Sequence, residues 1–295
     1  MPLVIRPASA DELAPAEQLV VRTINDLTVR YGFGPIAASR PSDFQAFCLR
    51  DDPRGVWLAE DDGEIVGFAL SWVCGRLWVL GELFVAPGRQ GQGIGNELLE
   101  HTLQHVSQAG ATERSLITFA FNIVSQGLYV RHGLFPHVPI LLCGAERESL
   151  RPAHSRALCA TPIGAPDVDL EMLRQFDVAT LGFSREKHQR YLLSDERGFP
   201  RRGGERVGYE YVAATGHVGP LAVMHRHAMP GAFRAALAVA VAGNATQISV
   251  FVPGTSDALA IAASKGMRFT LPMVLMSTHE CGDWTRFLPR NPDFM

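Results

Sequence analysis

A glycine-rich turn between an apolar strand and an amphipathic helix carries the clearest chemical signal in the sequence. Backbone amides at the start of a helix, together with the helix dipole, bind a pyrophosphate. Glycine keeps Cβ atoms out of the space that the phosphate oxygens need. The sequence therefore predicts a phosphate site built from main-chain nitrogens. The residues expected to form it are Gln90, Gly91, Gln92, Gly93, Ile94, Gly95 and Asn96.

Two common phosphate-binding motifs do not fit this turn. A dinucleotide-binding fold needs a third glycine where Leu98 stands, and it begins with an early βαβ unit. A P-loop needs Gly-Lys-Ser or Gly-Lys-Thr, and neither sequence is present. The spacing excludes both motifs.

The turn and its flanks resemble the GNAT acetyltransferase family. The family signature, Gln/Arg-x-x-Gly-x-Gly/Ala at the start of the third helix, is present as Gln90, Gly93 and Gly95. Residues 82–87 (ELFVAP) are similar to the family's fourth strand, and residues 122–135 (NIVSQGLYVRHGLF) to its Asn-x-x-Ala-x-x-Leu-Tyr-x-x-x-Gly-Phe segment. Ser125 at the usual alanine and Leu134 before the phenylalanine depart from that pattern. The resemblance covers roughly residues 1–145.

The resemblance implies that acetyl-CoA is the acyl-donor substrate. No metal is expected, because the cysteines lack ligand spacing and His225 and His227, which look like a metal pair, have no third ligand close in sequence. The backbone of Leu83, Phe84 and Val85 would hydrogen-bond the pantetheine arm, and an amide near Val85 would polarise the thioester carbonyl. Asn122 and Ser125 would complete the coenzyme site, although Asn122 fits a helix cap equally well. An amine would then attack directly, without an enzyme-bound acyl group.

Two proton transfers must accompany this reaction. The family pattern implies Tyr129 as the proton donor to the leaving sulfur, because thiols titrate near ~8.5 and tyrosine near ~10. A buried aromatic that packs the short helix is the alternative. Glu82 is the best candidate base, since it interrupts an apolar strand. An outward-facing residue or an ion pair with Arg76 or Arg131 explains Glu82 equally well, and a water chain could replace any single base.

The elements that carry these residues predict an α/β fold with a mixed, mostly antiparallel sheet flanked by helices. The expected order is a strand, two helices, three strands, a helix, a strand, a helix and a closing strand at 135–143. In that order the glycine turn lies between the fourth strand and the third helix.

The second half of the chain repeats the first. Leu83 matches Leu221 at an offset of 138, and Gly133 matches Gly266 at an offset of 133. The second copy has Ala228, Met229, Phe233 and Ala262 where the first has Gln90, Gly91, Gly95 and Tyr129. We therefore expect a catalytic domain at 1–148, a linker at 149–165 and a degenerate GNAT-like copy at 166–295, whose first strands are missing or not recognisable.

Composition limits the partners. The net charge is −3 and neither end is basic, which argues against nucleic acid, and no apolar run reaches the ~18 residues of a membrane helix. Five scattered cysteines without a CxxC pair favour reduced thiols in the cytoplasm. The expected partner is a small-molecule amine, and the chain is expected to be a monomer or a homodimer.

Further residues have weaker roles. His101 and His105 are expected on the exposed face of the third helix, and His225 and His227 at the surface or in a pocket. Tyr31 and Phe33 lie where the family's acceptor loops lie. Two other functions stay open: a non-catalytic acyl-CoA-binding or regulatory module, and a ligand of the second domain near Arg185, Tyr209 or His225.

Overall fold

The computed structural model describes residues 3–150, 159–160, 166–195, 198–203 and 205–295. The chain forms two compact units. The first unit contains residues 1–117 and 124–134, and the second contains residues 118–123 and 135–295. Most of the predicted linker, 149–165, lies outside the described residues. No helix within the described ranges is long and apolar enough to cross a membrane.

In the first unit, the strands β1 to β5 neighbour one another in the order β1-β2-β3-β4-β5. The first four strands are antiparallel, and β5 pairs with β4 in parallel. Turn residues such as Asp62 and Gly63 join the hairpin strands, as the sequence predicts. The elements are β1 Val4–Pro7, α1 Leu13–Arg30, α2 Asp43–Asp51, β2 Val56–Asp61, β3 Glu64–Cys74, β4 Leu77–Val85, α3 Ile94–Ala109, β5 Glu113–Phe119 and α4 Ile123–Arg131.

Close packing against the sheet fixes the position of α3. Ile94 and Leu98 are buried in a cluster with Ala59, Val66 and Ala69 from β2 and β3. A Cβ added to Gly67 would lie 2.8 Å from Leu98 Cδ1, so glycine at that position lets the helix approach the strands. Because the helix cannot shift, its first turn is held at the end of β4.

The second unit contains the sheet order β12-β6-β11-β10-β9-β8-β7, and β13 pairs with β10. Its core combines residues of β10, α7, β11 and α8. The elements are β6 Phe135–Glu146, β7 Cys159–Ala160, α5 Pro166–Leu181, α6 Glu186–Asp195, β8 Gly198–Gly203, β9 Glu205–Val212, β10 His217–Val223, α7 Met229–Ala242, β11 Gln247–Pro253, α8 Ala258–Ser264, β12 Arg268–Ser277 and β13 Phe287–Leu288.

The element order confirms the predicted fold class and corrects one expectation about the repeat. The run β7, α5, α6, β8, β9, β10, α7, β11, α8, β12 follows the same order as β1, α1, α2, β2, β3, β4, α3, β5, α4, β6. The first strands of the second copy are therefore present. The sequence hid them because they are short and lie among polar, proline-containing residues.

The strand expected to close the first copy, β6, pairs with strands of the second unit. The strand β6 pairs antiparallel with β11 and with β12, and it belongs to the second unit. Because β6 and β12 are equivalent strands of the two copies, they have similar patterns of apolar residues. Such patterns do not predict which strands each of them pairs with. The domain limits at 148 and 166 stay a prediction from the sequence.

Candidate active site

Two adjacent strands separate at the carboxyl end of β4. Parallel pairing between β4 and β5 runs from Leu77 with Glu113 to Leu80 with Leu116. The register between β3 and β4 shifts at Gly81, and β4 continues along β3 alone to Val85. The pairing therefore leaves a groove beside the last residues of β4.

The main chain of this segment has a defined direction. The Ala86 amide donates to the Val66 carbonyl at 2.8 Å, which places Ala86 in a hydrogen-bonded pair of the antiparallel ladder. Such pairs alternate, so Phe84 directs its backbone groups at β3 while Leu83 and Val85 direct theirs away from it. The backbone groups of Leu83 and Val85 thus face the groove.

The glycine turn has the conformation that a phosphate site needs. Gly91 and Gly93 have φ values of +78° and +89°, which residues other than glycine rarely adopt. A Cβ at either position would have no atom within 4 Å. Glycine is therefore needed here for the backbone conformation and not to avoid a clash, and the space beside the turn is open. Gly93 caps α3, and the helix offers no acceptor for the amides of Ile94 and Gly95.

Gly95 is closely flanked by two elements. A Cβ on Gly95 would lie 3.6 Å from Val85 Cγ2 and 4.0 Å from Leu128 Cδ2. The start of α3, the end of β4 and α4 therefore converge at one point. The glycine turn joins β4 directly to α3, whereas α4 follows later in the chain, after β5.

Side chains of the turn hold its shape. Gln90 Nε2 donates to the Val85 carbonyl at 3.0 Å, and Arg89 Nε donates to Gln92 Oε1 at 3.4 Å. Asn96 Nδ2 donates to Glu100 Oε1 at 2.7 Å, and Asn96 Oδ1 accepts from His132 Nε2 at 2.9 Å. The side chains of these residues thus bond to the protein, and the backbone amides of Arg89 and Asn96 donate to the carbonyls of Ala86 and Gly93.

Tyr129 is a buried phenol on α4, one residue after Leu128. Its side chain is 5% exposed, and burial raises its pKa well above the ordinary value. A hydrogen bond with the Ser125 hydroxyl acts in the opposite direction and lowers that pKa. Because the two residues lie one helical turn apart, Ser125 can hold the phenol in place. Tyr129 is therefore protonated at neutral pH.

Glu82 is buried and hydrogen-bonded, so it is not an outward-facing residue. It is 3% exposed, and its Oε1 accepts from Gln45 Nε2 at 2.9 Å. The same nitrogen donates to Glu17 Oε2 at 3.0 Å. Arg76, one of the expected ion-pair partners, pairs with Glu113 instead. Gln45 thus links two carboxylates from α1 and β4.

The sequence did not indicate Gln45 or Glu17. Burial raises the pKa of Glu17, and a Gln45 hydrogen bond lowers it to a lesser extent. A signal exists in retrospect, because Gln45 and Cys48 are the two buried positions of α2, three residues apart on one face. A polar side chain on that face needs a buried partner.

Other predicted positions have simpler surroundings. The Asn122 amide donates to the Phe119 carbonyl at 3.0 Å, directly before α4, and Asn122 belongs to the second unit. Tyr31 and Phe33 are 45% and 38% exposed in the loop after α1. Asn25 Oδ1 accepts from the amides of Ile36 and Ala37 at 2.9 and 2.8 Å, which orders this loop.

One expectation about α3 is wrong. His105 is 1% exposed rather than solvated, with Nε2 2.8 Å from Asp52 Oδ1 and Nδ1 3.3 Å from Ser71 Oγ. The three residue types match a catalytic triad, but Ser71 is fully buried in the sheet and no substrate reaches it. The His101 ring contacts the Trp57 ring at a tilt of 37°, with centroids 4.6 Å apart. Both histidines therefore serve packing.

The second unit has a cavity of about 540 Å³ after β10, lined by Met224, His225, Arg226, His227, Asp257 and Arg286. The two histidine rings stack with centroids 5.4 Å apart, and Arg226 pairs with Asp257. Arg185 and Tyr209 lie elsewhere, fully buried with Asp177. Of the three residues expected near a ligand of this unit, only His225 lines the cavity.

Comparison with known proteins agrees with the geometry of the first unit. A family model described as the acetyltransferase (GNAT) family matches residues 21–134. An uncharacterized N-acetyltransferase of Archaeoglobus fulgidus is 32% identical over 114 residues, which are 34% of this chain and 71% of that protein. The chain belongs to the GNAT acetyltransferase family.

Other relatives match a smaller part of their own length. A mycothiol acetyltransferase of Streptomyces avermitilis is 36% identical over 100 residues, 32% of each chain. A similar protein of Streptomyces coelicolor is 34% identical over 100 residues, 32% of this chain and 31% of that one. The chain thus spans about a third of the length of these relatives.

Solved structures match nearly the whole fold. A GCN5-related N-acetyltransferase of Sphaerobacter thermophilus has a TM-score of 0.67 at 16% identity, over 96% of this chain and 98% of that one. A tandem GNAT protein from the clavulanic acid biosynthesis pathway has a TM-score of 0.63 at 15% identity, over 94% and 98% of the two chains. At such identities the likeness concerns the fold alone.

Proposed function

We propose that this chain is an acetyl-CoA-dependent N-acetyltransferase that transfers the acetyl group directly to the amine of a small-molecule or amino-acid-like acceptor. The observation that carries the proposal is the junction of the β4–β5 groove with the glycine turn. A strand-like pantetheine arm fits a groove bordered by main-chain groups, and a pyrophosphate fits the amides at the start of α3. Both features lie in the first unit.

The fit of acetyl-CoA rests on this chain's own atoms. Leu83 and Val85 direct their backbone groups into the groove, as an extended ligand needs. Gly91 and Gly93 leave open space above the turn. The amides of Ile94 and Gly95 lack an intrahelical acceptor, so they can donate to phosphate oxygens.

The proposed chemistry assigns one task to each group. The Val85 amide donates to the thioester oxygen, where negative charge develops as the amine attacks. Glu82, directly or through water, accepts a proton from the amine. Tyr129 donates a proton to the departing sulfur, because burial keeps the phenol protonated. Ser125 and Gln45 orient Tyr129 and Glu82.

The acceptor class follows from the charge at the site. An amine reaches the groove as a cation at neutral pH, and the carboxylates of Glu82 and Glu17 lie on the two sides of Gln45. The ordered loop with Tyr31 and Phe33 offers apolar area for the remainder of a small acceptor. A mycothiol-related amine belongs in the first screen because matched relatives carry that name.

A screen that follows CoA release across amines tests this proposal. We expect turnover with at least one small primary amine, and a large loss of turnover in Tyr129→Phe. The alternative function is a non-catalytic acyl-CoA-binding or regulatory module. Tight acetyl-CoA binding without turnover of any amine would support that alternative and contradict the transferase proposal.

A further inference from the structure

The second unit repeats the strand separation of the first. Parallel pairing between β10 and β11 ends at Val218 with Val250, and Val218 is the counterpart of Leu80 at the offset of 138. The register between β9 and β10 shifts directly afterwards, as it does at Gly81. The second unit therefore contains the same groove in outline.

The backbone beside this groove also has the same direction. The Met224 amide donates to the Val207 carbonyl at 2.8 Å, as Ala86 donates to Val66. By the same alternation, Leu221 and Val223 direct their backbone groups away from β9. Val223 is the counterpart of Val85, whose amide we assign to the thioester oxygen.

A segment of the chain itself fills this groove. The strand β13 pairs antiparallel with β10, with Leu288 opposite Leu221 and Phe287 opposite Ala222. The Val223 amide donates to the Arg286 carbonyl at 3.0 Å. Phe287 and Leu288 are fully buried. The backbone groups that would hold a pantetheine arm are thus bonded to protein.

Further contacts anchor the segment. The Arg286 guanidinium donates to the Met224 carbonyl and to the Ala179 carbonyl, both at 2.7 Å. A Cβ on Gly219 would lie 2.7 Å from the Pro289 carbonyl oxygen, so β10 carries a glycine where the segment passes. His217 Nε2 lies 2.5 Å from the Arg290 carbonyl oxygen. Hydrogen bonds to Arg286 and Arg290 therefore hold the chain on both sides of β13.

We propose that residues 286–288 are a built-in occupant of the second unit's acyl-CoA groove and take the place of the pantetheine arm. The inference uses the position of the arm from the proposed function of the first unit. It predicts that this groove is closed to coenzyme in the folded protein. It also explains why the groove persists: β13 satisfies the main-chain groups that separation of β10 and β11 exposes.

Residue-resolved hydrogen exchange in the full-length protein tests the proposal, with Val85 and Val223 as matched amides. Without coenzyme, we expect the Val223 amide to exchange at least ~100-fold more slowly than the Val85 amide, since only Val223 donates to a strand. With saturating acetyl-CoA, the Val85 amide should slow and the Val223 amide should not change. Fast exchange at Val223 in the free protein, or slowing there when acetyl-CoA is added, would overturn the inference.

The two proposals fail separately in this experiment. If acetyl-CoA leaves exchange at the Val85 amide unchanged, the proposed function is contradicted, whatever happens at Val223. A second variant checks the anchor: Arg286→Ala should speed exchange at Val223 by ~10-fold or more and leave Val85 unchanged. The control is Arg226→Ala, an exposed arginine in the same cavity that pairs with Asp257. Equal effects of the two substitutions on Val223 would show that the segment is not held as described.

Discussion

The two units share a framework and differ at the positions that could do chemistry. In the first unit, Gly91 and Gly93 adopt positive φ and form an open turn before α3. In the second, Met229 stands for Gly91 and α7 has already begun, so that Gly231 lies inside the helix. The backbone segment that could bind a pyrophosphate in the first unit forms the first turn of a helix in the second.

The same contrast holds around the proposed proton transfers. Pro220 is the counterpart of Glu82, and Ala258 and Ala262 are the counterparts of Ser125 and Tyr129. The second unit also has a buried carboxylate, Asp177, but Arg185, Tyr209 and Gln189 all bond to it. A fold can therefore lose a site and keep its strand separation, provided that other groups satisfy the exposed main chain.

The sharpest way to break this comparison is a charge in the phosphate turn. Gly93→Glu places a side chain at φ +89° and a carboxylate beside the coenzyme phosphates. In calorimetry we expect the wild type to bind one equivalent of acetyl-CoA per chain. In the variant, the affinity for acetyl-CoA should fall at least ~100-fold. Gly231→Glu is the matched control, because a glutamate in the first turn of α7 suits the helix dipole. Loss of binding in the control, or two equivalents in the wild type, would contradict the comparison.

The next largest effect concerns the proton donor. Tyr129→Phe removes the hydroxyl and leaves the buried ring, so we expect kcat to fall by ~10²–10⁴-fold with unchanged affinity for acetyl-CoA. Because burial raises the pKa of Tyr129, the phenol should not titrate below pH ~10, and any loss of wild-type rate from this group should occur only above that pH.

Binding and steady-state rates of the same Tyr129→Phe preparation check this prediction. A kcat within about threefold of the wild type would mean that Tyr129 only packs α4, the alternative that its sequence context left open.

Sequence patterns predicted the framework better than the pairing. The start of β6 at Phe135 matches the expected bound, because glycine and a run of apolar residues mark it. The neighbours of β6 were not predicted, since repeated strands offer equivalent edges. The occupant of the second groove could not be predicted either, because Phe287 and Leu288 form a strand too short to show a period.

The candidate site divides in the same way. The turn at 90–96 and Tyr129 are recognisable because a motif keeps their spacing. Gln45 and Glu17 come from helices whose only sequence signal is amphipathicity, and the bonds to Glu82 arise from tertiary packing. Burial of His105 was missed for a related reason: its partners, Asp52 and Ser71, lie on a different helix end and on a strand.

A third prediction tests the bridge between the carboxylates. Gln45→Leu removes a donor that stabilises the charged Glu82 carboxylate, so the acid limb of the kcat/KM profile should move to higher pH by ~1–2 units. The rate at pH 6 should then fall more than the rate at pH 8. Cys48→Ala, on the same face of α2, is the control and should leave the limb in place. If the acid limb of the kcat/KM profile of Gln45→Leu matched that of the wild type, either Glu82 would not be the base or Gln45 would not act on it.

The smallest expected effect isolates what Ser125 adds to the first unit. Ser125→Ala installs the residue that the second unit has at Ala258, and it removes the hydrogen bond that lowers the pKa of Tyr129. The phenol then becomes a weaker acid and loses one restraint, so kcat should fall by ~2–10-fold while acetyl-CoA affinity changes little. Ser107→Ala, at an exposed position of α3, controls for loss of a hydroxyl elsewhere. In the Tyr129→Phe background the Ser125 substitution should have no further effect on kcat, because its partner hydroxyl is gone. If the two losses were instead additive, Ser125 would act on the coenzyme and not through Tyr129, which is the role that the family resemblance first implied for it.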